Sequence, residues 1–154
     1  MFLRPMIGAL VYAMCAAASV TAAPPDKSTK PVEFYLAETV PAKGLVEITV
    51  VSTDRKIYLP KQAVVTNKDI ATARLKRDAN GEIAIAIEFT RSGAKKIAKA
   101  TEKHKGKPLA ILLDGKVIVA PIIRSRISAH AVAVIVGITK KVVATRFVAA
   151  INGK

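Results

Sequence analysis

Leu109-Ala110-Ile111-Leu112-Leu113-Asp114-Gly115-Lys116-Val117-Ile118-Val119-Ala120-Pro121-Ile122-Ile123 is the stretch on which the fold turns. Asp114-Gly115 is a hairpin signal, since Asp and Gly take the positive φ values that tight two-residue turns require. It separates two apolar runs, residues 109–113 and 117–123. Near-continuous apolar strands belong in the middle of a sheet, which places residues 109–113 there together with a second run at 131–136. Pro121 cannot donate to a ladder and suits an edge position.

Working outward, a second hairpin is expected from residues 73–77 and 82–89 around Asp78-Ala79-Asn80-Gly81. Ile83, Ile85, Ile87 and Phe89 share one face of its second strand, and Ala84, Ala86 and Glu88 share the other. Thr90 follows as the N-cap of a helix running to about Lys105, with Gly106 just past its end. Ala94, Ile97, Ala98 and Thr101 form its buried stripe. Lys95, Lys99 and Lys103 line the opposite side. Residues 32–36, 45–51 and 56–59 read as three earlier short strands. Thr139 is the expected cap of a closing helix that turns Val143, Phe147 and Ile151 inward and ends at Gly153. Strands arriving as hairpins with two interspersed helices predict an α+β fold, an antiparallel β-sheet with two main helices packed on one face.

The 154 residues carry 25 Lys and Arg against 11 Asp and Glu, a formal charge of +14, with one Cys and no Trp. Cys15 alone excludes a disulfide framework and a cysteine metal site. Half of the residues are apolar, so the chain is neither disordered nor fibrous. Residues 1–22 read as a secretory signal peptide. Arg4 opens an uncharged run that ends in Ser19-Val20-Thr21-Ala22-Ala23, and cleavage after Ala22 sets small residues in the peptidase pockets. Met14 stands where a lipoprotein signal needs a small residue before Cys15. The alternative is an uncleaved anchor, because residues 5–25 hold no charge and are long enough to span a bilayer. Residues 23–31 read as a flexible leader and 32–154 as a single domain. The expected location is periplasmic or secreted, or else anchored at the N-terminus. No transmembrane segment is expected after cleavage.

Chemistry is sparse. His104 is flanked by Lys103 and Lys105, and His130 precedes a strand; two histidines 26 positions apart make no metal signature. Ser125, His130 and Asp114 could be written as a triad, but no nucleophile elbow supports it. Arg91-Ser92-Gly93 lacks the remainder of a phosphate loop. These absences predict a non-enzyme without cofactor or metal. The lysine stripe has no interleaved aromatics, so nucleic acid is not the expected partner.

Phe89-Thr90-Arg91-Ser92-Gly93-Ala94-Lys95-Lys96-Ile97-Ala98-Lys99-Ala100-Thr101 and the run from Gly106 to Ile123 together resemble the head subdomain of the first periplasmic domain of SecD/SecDF protein-export membrane proteins. Val65-Thr66-Asn67-Lys68-Asp69-Ile70-Ala71 is similar to that family's segment before the hairpin, and Gly137 and Thr139 to the glycine and cap before its last helix. The resemblance covers about residues 32–151. Gly93, Ala94, Asp114, Gly115, Pro121 and Gly137 read as fold determinants within it; Gly93 and Ala94 let the helix approach the sheet. The resemblance implies a periplasmic surface that contacts unfolded protein leaving the Sec channel. The family's proton-coupled membrane part and base subdomain have no counterpart in these residues, so motor activity is not expected. Arg124-Ser125-Arg126 and Lys140-Lys141 add positive charge where the family carries Glu-Pro, glycines or acids.

The expected function is a non-enzymatic exported binding module that engages unfolded or exported polypeptide by a strand edge or apolar groove, with Lys95, Lys99, Lys103, Arg124 and Arg126 as cationic borders. The alternative is a basic protein that binds anionic lipid or polysaccharide of the envelope through the lysine stripe.

Overall fold

The computed structural model describes residues 32–128 and 133–153. The expected signal, the leader and His130 lie outside the described residues. The strands run β1 (Glu33–Leu36), β2 (Val46–Thr49), β3 (Lys56–Leu59), β4 (Val65–Thr66), β5 (Ile70–Arg77), β6 (Ile83–Phe89), β7 (Leu109–Leu113), β8 (Lys116–Val119) and β9 (Ala133–Ile135). A 3₁₀ turn, Asn67–Asp69, links β4 to β5. Helix α1 (Arg91–Lys103) lies between β6 and β7, and α2 (Lys141–Asn152) closes the chain.

The α+β class with antiparallel pairing follows the residue pattern, and the strands divide among three sheets. The first has the order β4-β1-β7-β8, the second pairs β2 with β3, and the third has the order β5-β6-β9. All five residues of β7 are buried because its sheet is covered on both sides. Leu109, Ile111 and Leu113 face the main core with Phe34, Ile97, Ile85 and Phe147. Ala110 and Leu112 face a smaller cluster under the β2–β3 hairpin, with Val50, Ile57 and Leu59. The turn between β7 and β8 has φ of 54° at Asp114 and 74° at Gly115, the two positive values that a two-residue hairpin needs. Strand β8 is terminal in its sheet. Beyond it the Pro121 carbonyl accepts from the Leu109 N–H at 2.8 Å, while its own nitrogen has no proton to place.

Helix α1 begins as the sequence predicts. Thr90 Oγ1 accepts from the Gly93 N–H at 3.1 Å, and Gly93, Ala94, Ile97, Ala98 and Thr101 are buried. Two expectations are corrected. Strand β9 is terminal in the third sheet, not central; β6 takes the middle, and Val134 and Val136 are each about half exposed. Their apolarity therefore reflects an open surface and not burial on two faces. Helix α2 has Lys140, not Thr139, as its N-cap, and no side chain caps it. Its buried positions are Ala144, Phe147 and Ile151, with Val143 half-buried beside them.

Candidate functional site

The cationic residues singled out from the sequence lie along α1 and on the segment after β8. Lys95, Lys99 and Lys103 are exposed on α1. The chain after β8 returns along the end of that helix: the Gly106 N–H donates to the Ile123 carbonyl at 2.8 Å, and the Ile127 N–H donates to Thr101 Oγ1 at 2.9 Å. Arg124 and Arg126 are thereby carried, exposed, to the side of α1, and Arg126 lies 4.0 Å from Glu102, the neighbour of Lys103. An ion pair between two half-exposed groups at that distance contributes little, and the cluster keeps its positive character.

Of the residues read as fold determinants, Gly93 has the closest environment. A Cβ there would stand 2.0 Å from the Asp69 carbonyl oxygen, so only glycine fits. The close approach is to the backbone of the 3₁₀ turn and not to a strand. Ala94 is buried beside it. Gly137 has φ of 87° and turns the chain between β9 and α2. Asp114 accepts from Arg146 Nη2 of α2 at 2.7 Å, so its carboxylate is engaged by a cation. His104 Nδ1 lies 2.8 Å from the Ala100 carbonyl, a bond in which the ring N–H donates at the helix end. Among the described residues no group of three His, Cys, Asp or Glu could hold a metal ion, and no helix is long and apolar enough to cross a membrane.

The sequence reading missed the polar centre of the molecule. Asp69 is 6% exposed, and its carboxylate accepts from Lys96 Nζ at 2.7 Å, from the Thr66 N–H at 3.1 Å and from the Thr66 hydroxyl at 3.4 Å. Its carbonyl accepts from the Thr90 N–H at 2.9 Å and the Thr90 hydroxyl at 3.2 Å. Burial raises the carboxyl's affinity for a proton, but the Lys96 and Thr66 bonds and the Lys96 charge outweigh it, leaving the pKa below the ordinary carboxylate range. Asp69 and Lys96 are 27 positions apart, so no periodicity could have paired them. These contacts are structural and hold no open coordination position.

The third sheet has two edge strands, β5 and β9. The β5 edge is blocked at Ala73, whose N–H donates to Asn152 Oδ1 at 3.0 Å and whose carbonyl accepts from Asn152 Nδ2 at 2.8 Å. The outer edge of β9 has no strand beside it among the described residues.

A family model described as SecDF, P1 head subdomain matches residues 43–153. The protein translocase subunit SecD of Aquifex aeolicus is 44% identical over 75 residues, which are 48% of this chain and 15% of that protein. SecDF of Thermus thermophilus is 43% identical over 65 residues, 42% of this chain and 9% of that protein. Among solved structures, SecDF in a super-membrane-facing form superposes with a TM-score of 0.63 at 27% identity, over 80% of this chain and 18% of the other. A structure of the membrane component SecDF that enhances protein export gives 0.61 at 26% identity, over 79% and 61%. The chain thus spans less than a sixth of the length of these two curated relatives.

Proposed function

The chain belongs to the SecDF P1 head subdomain family, and from that premise we propose that it is an exported, non-catalytic module that holds extended polypeptide during or after passage across the membrane. One observation carries the reading: β9 ends its sheet, with Val134 about half exposed on it and Val136 about half exposed just beyond its end. An extended segment can add to such an edge through backbone hydrogen bonds, which accept many sequences. Lys95, Lys99, Lys103, Arg124 and Arg126 supply a cationic border that raises the encounter rate with acidic stretches. The domain proper is residues 32–154, and the place of action is the periplasmic side.

Crosslinking to an unfolded exported protein tests this reading. Enrichment over a scrambled basic polypeptide of equal charge is expected, with a drop of about fivefold for Val134→Glu, since a charge on an edge strand opposes strand addition. A further drop is expected when Lys95, Lys99 and Lys103 are all changed to Glu. No enrichment over the control overturns the reading, and salt-sensitive binding to phosphatidylglycerol vesicles or acidic polysaccharide in its place assigns the lysine face to the envelope instead.

A further inference from the structure

The inner face of the β5–β6 hairpin extends past the start of α2. Ala73 pairs with Ile87, Leu75 with Ile85 and Arg77 with Ile83, so these six side chains share the face on which Phe147 and Ala144 pack. Helix α2 begins at Lys141, and the last rungs of the hairpin lie beyond its cover: Leu75 is 43% exposed and Ile83 half-buried. A hollow of about 320 Å³ opens there, lined by Leu75, Lys76, Arg77, Ile83 and Lys141. On the other side of the helix start, a smaller hollow of about 90 Å³ has Val51, Ile118, Ile138 and Val143 in its wall, with Lys140 at its rim. Val142, 71% exposed, belongs to the same first turn of the helix.

The charge around these hollows is one-signed. No acidic residue lines either of them. Among the described residues the side chains of Lys76, Lys140 and Lys141 make no ion pair, and Arg77 donates to the Gly81 carbonyl at 2.6 Å. Asp78, at the hairpin tip, is occupied by the Asn80 and Glu82 N–H groups, each at 2.9 Å. A second copy of this chain would bring a further charge of +14 to a surface already positive. A flat lipid surface would leave concave apolar walls unfilled. Side chains of a polypeptide fill them.

We propose that the start of α2 and the tip of the β5–β6 hairpin form a second docking surface, distinct from the β9 edge, for an acidic polypeptide segment with interspersed aliphatic residues. Aliphatic side chains enter the two hollows, and carboxylates meet Lys76, Lys140 and Lys141. The aliphatic residues supply most of the affinity and the charges set the orientation and the choice of partner.

Fluorescence anisotropy with the full chain and a labelled synthetic peptide alternating Glu with Leu tests the proposal. Saturable binding is expected, with at least about tenfold weaker binding by a peptide alternating Glu with Ser and none by one alternating Lys with Leu. Lys76→Glu combined with Lys141→Glu, and separately Leu75→Ser, are expected to weaken binding by about tenfold, whereas Lys61→Glu, at an exposed site elsewhere, stays within about twofold. Equal affinity for the Glu–Ser peptide reduces the surface to bulk charge and overturns the proposal, as does indifference to the variants at Lys76, Lys141 and Leu75. Phosphatidylglycerol vesicles competing with the peptide and showing the same variant sensitivity assign the surface to a membrane and also overturn it. Val134→Glu removes only binding at the β9 edge and leaves the part of the titration that responds to Lys76, Lys141 and Leu75 unchanged, so the two readings fail separately.

Discussion

The segment from Thr66 to Ala73 and the opposite end of the molecule, where α2 begins, are held together by different means. On the first converge the N-terminus of α1, through Thr90 and Gly93 on Asp69, and the C-terminus of α2, through Asn152 on Ala73 and the Ala150 carbonyl, which accepts from Asn67 Nδ2 at 3.2 Å. Nearly every polar group there has a partner of defined geometry. At the other end α2 starts without a side-chain cap or an acidic first turn, and aliphatic residues stand open among lysines. A corner so constrained fixes the relative position of both helices and the hairpin. The loosely dressed end is then free to present surface without carrying the fold, because exposed positions away from packed features tolerate change within about 0.5 kcal/mol.

The most damaging change falls on the constrained corner. Gly93→Ala puts a methyl 2.0 Å from the Asp69 carbonyl oxygen and 2.9 Å from its carbonyl carbon, and neither backbone can retreat without breaking the Thr90 bonds to the same carbonyl. Alanine favours a helix interior over glycine by about 1 kcal/mol. The overlap outweighs that gain, and chemical denaturation is expected to show a loss of more than about 3 kcal/mol or no cooperative folding at all. Val142→Ser, at the opposite end, is the matching control and stays near the parent.

A smaller loss with a distinctive pH dependence is expected from Asp69→Asn. At neutral pH it removes a charge-assisted bond from a nearly buried acceptor, costing about 2 kcal/mol, with the share due to Lys96 reduced because that side chain is half exposed. The folded carboxyl has a pKa below its unfolded value, so the unfolded chain binds more protons as the pH falls through the carboxylate range. The contribution is therefore complete above the unfolded value, near pH 4, and is lost as the pH falls through the folded one. Denaturant midpoints of parent and variant should converge on acidification from neutral pH. A constant separation down to strongly acidic pH would show that Asp69 contributes shape and not charge.

The constrained corner was the less legible half of the molecule, although it carries more of the fold. Local signals were read correctly: the Asp114-Gly115 turn, the Thr90 cap and the α1 stripe are each written within a few residues. Asp69–Lys96 and Asn152–Ala73 join residues 27 and 79 positions apart, and nothing in their surroundings announces the pairing. Gly93 was legible as a close approach, but its partner was not. The apolar run ending in Val134 and Val136 was read as central because apolarity signals burial, whereas strand order is a long-range outcome that left it at an edge. Lys95, Lys99 and Lys103 were legible as one exposed face from helical spacing alone. The hollows beside Lys141 were not, since they arise where a hairpin outruns a helix that follows it by more than fifty residues.

Helix α2 offers the smallest and most diagnostic change. No side chain caps its first turn, and Lys140 and Lys141 place positive charge at the positive end of the helix dipole. Lys140→Asp, with φ of −99° and ψ of 113° already in the extended range of an N-cap, supplies an acceptor and reverses the unfavourable charge together. The expected result is a gain of about 1 kcal/mol in denaturant unfolding, shrinking with added salt as the charge component is screened. The same substitution removes a lysine from the rim of the smaller hollow, so a more stable protein should bind the Glu–Leu peptide more weakly. Stability and binding moving in opposite directions would show that this end of the molecule keeps its positive charge for a partner, at the expense of its own helix. A gain in both would mean that Lys140 serves neither.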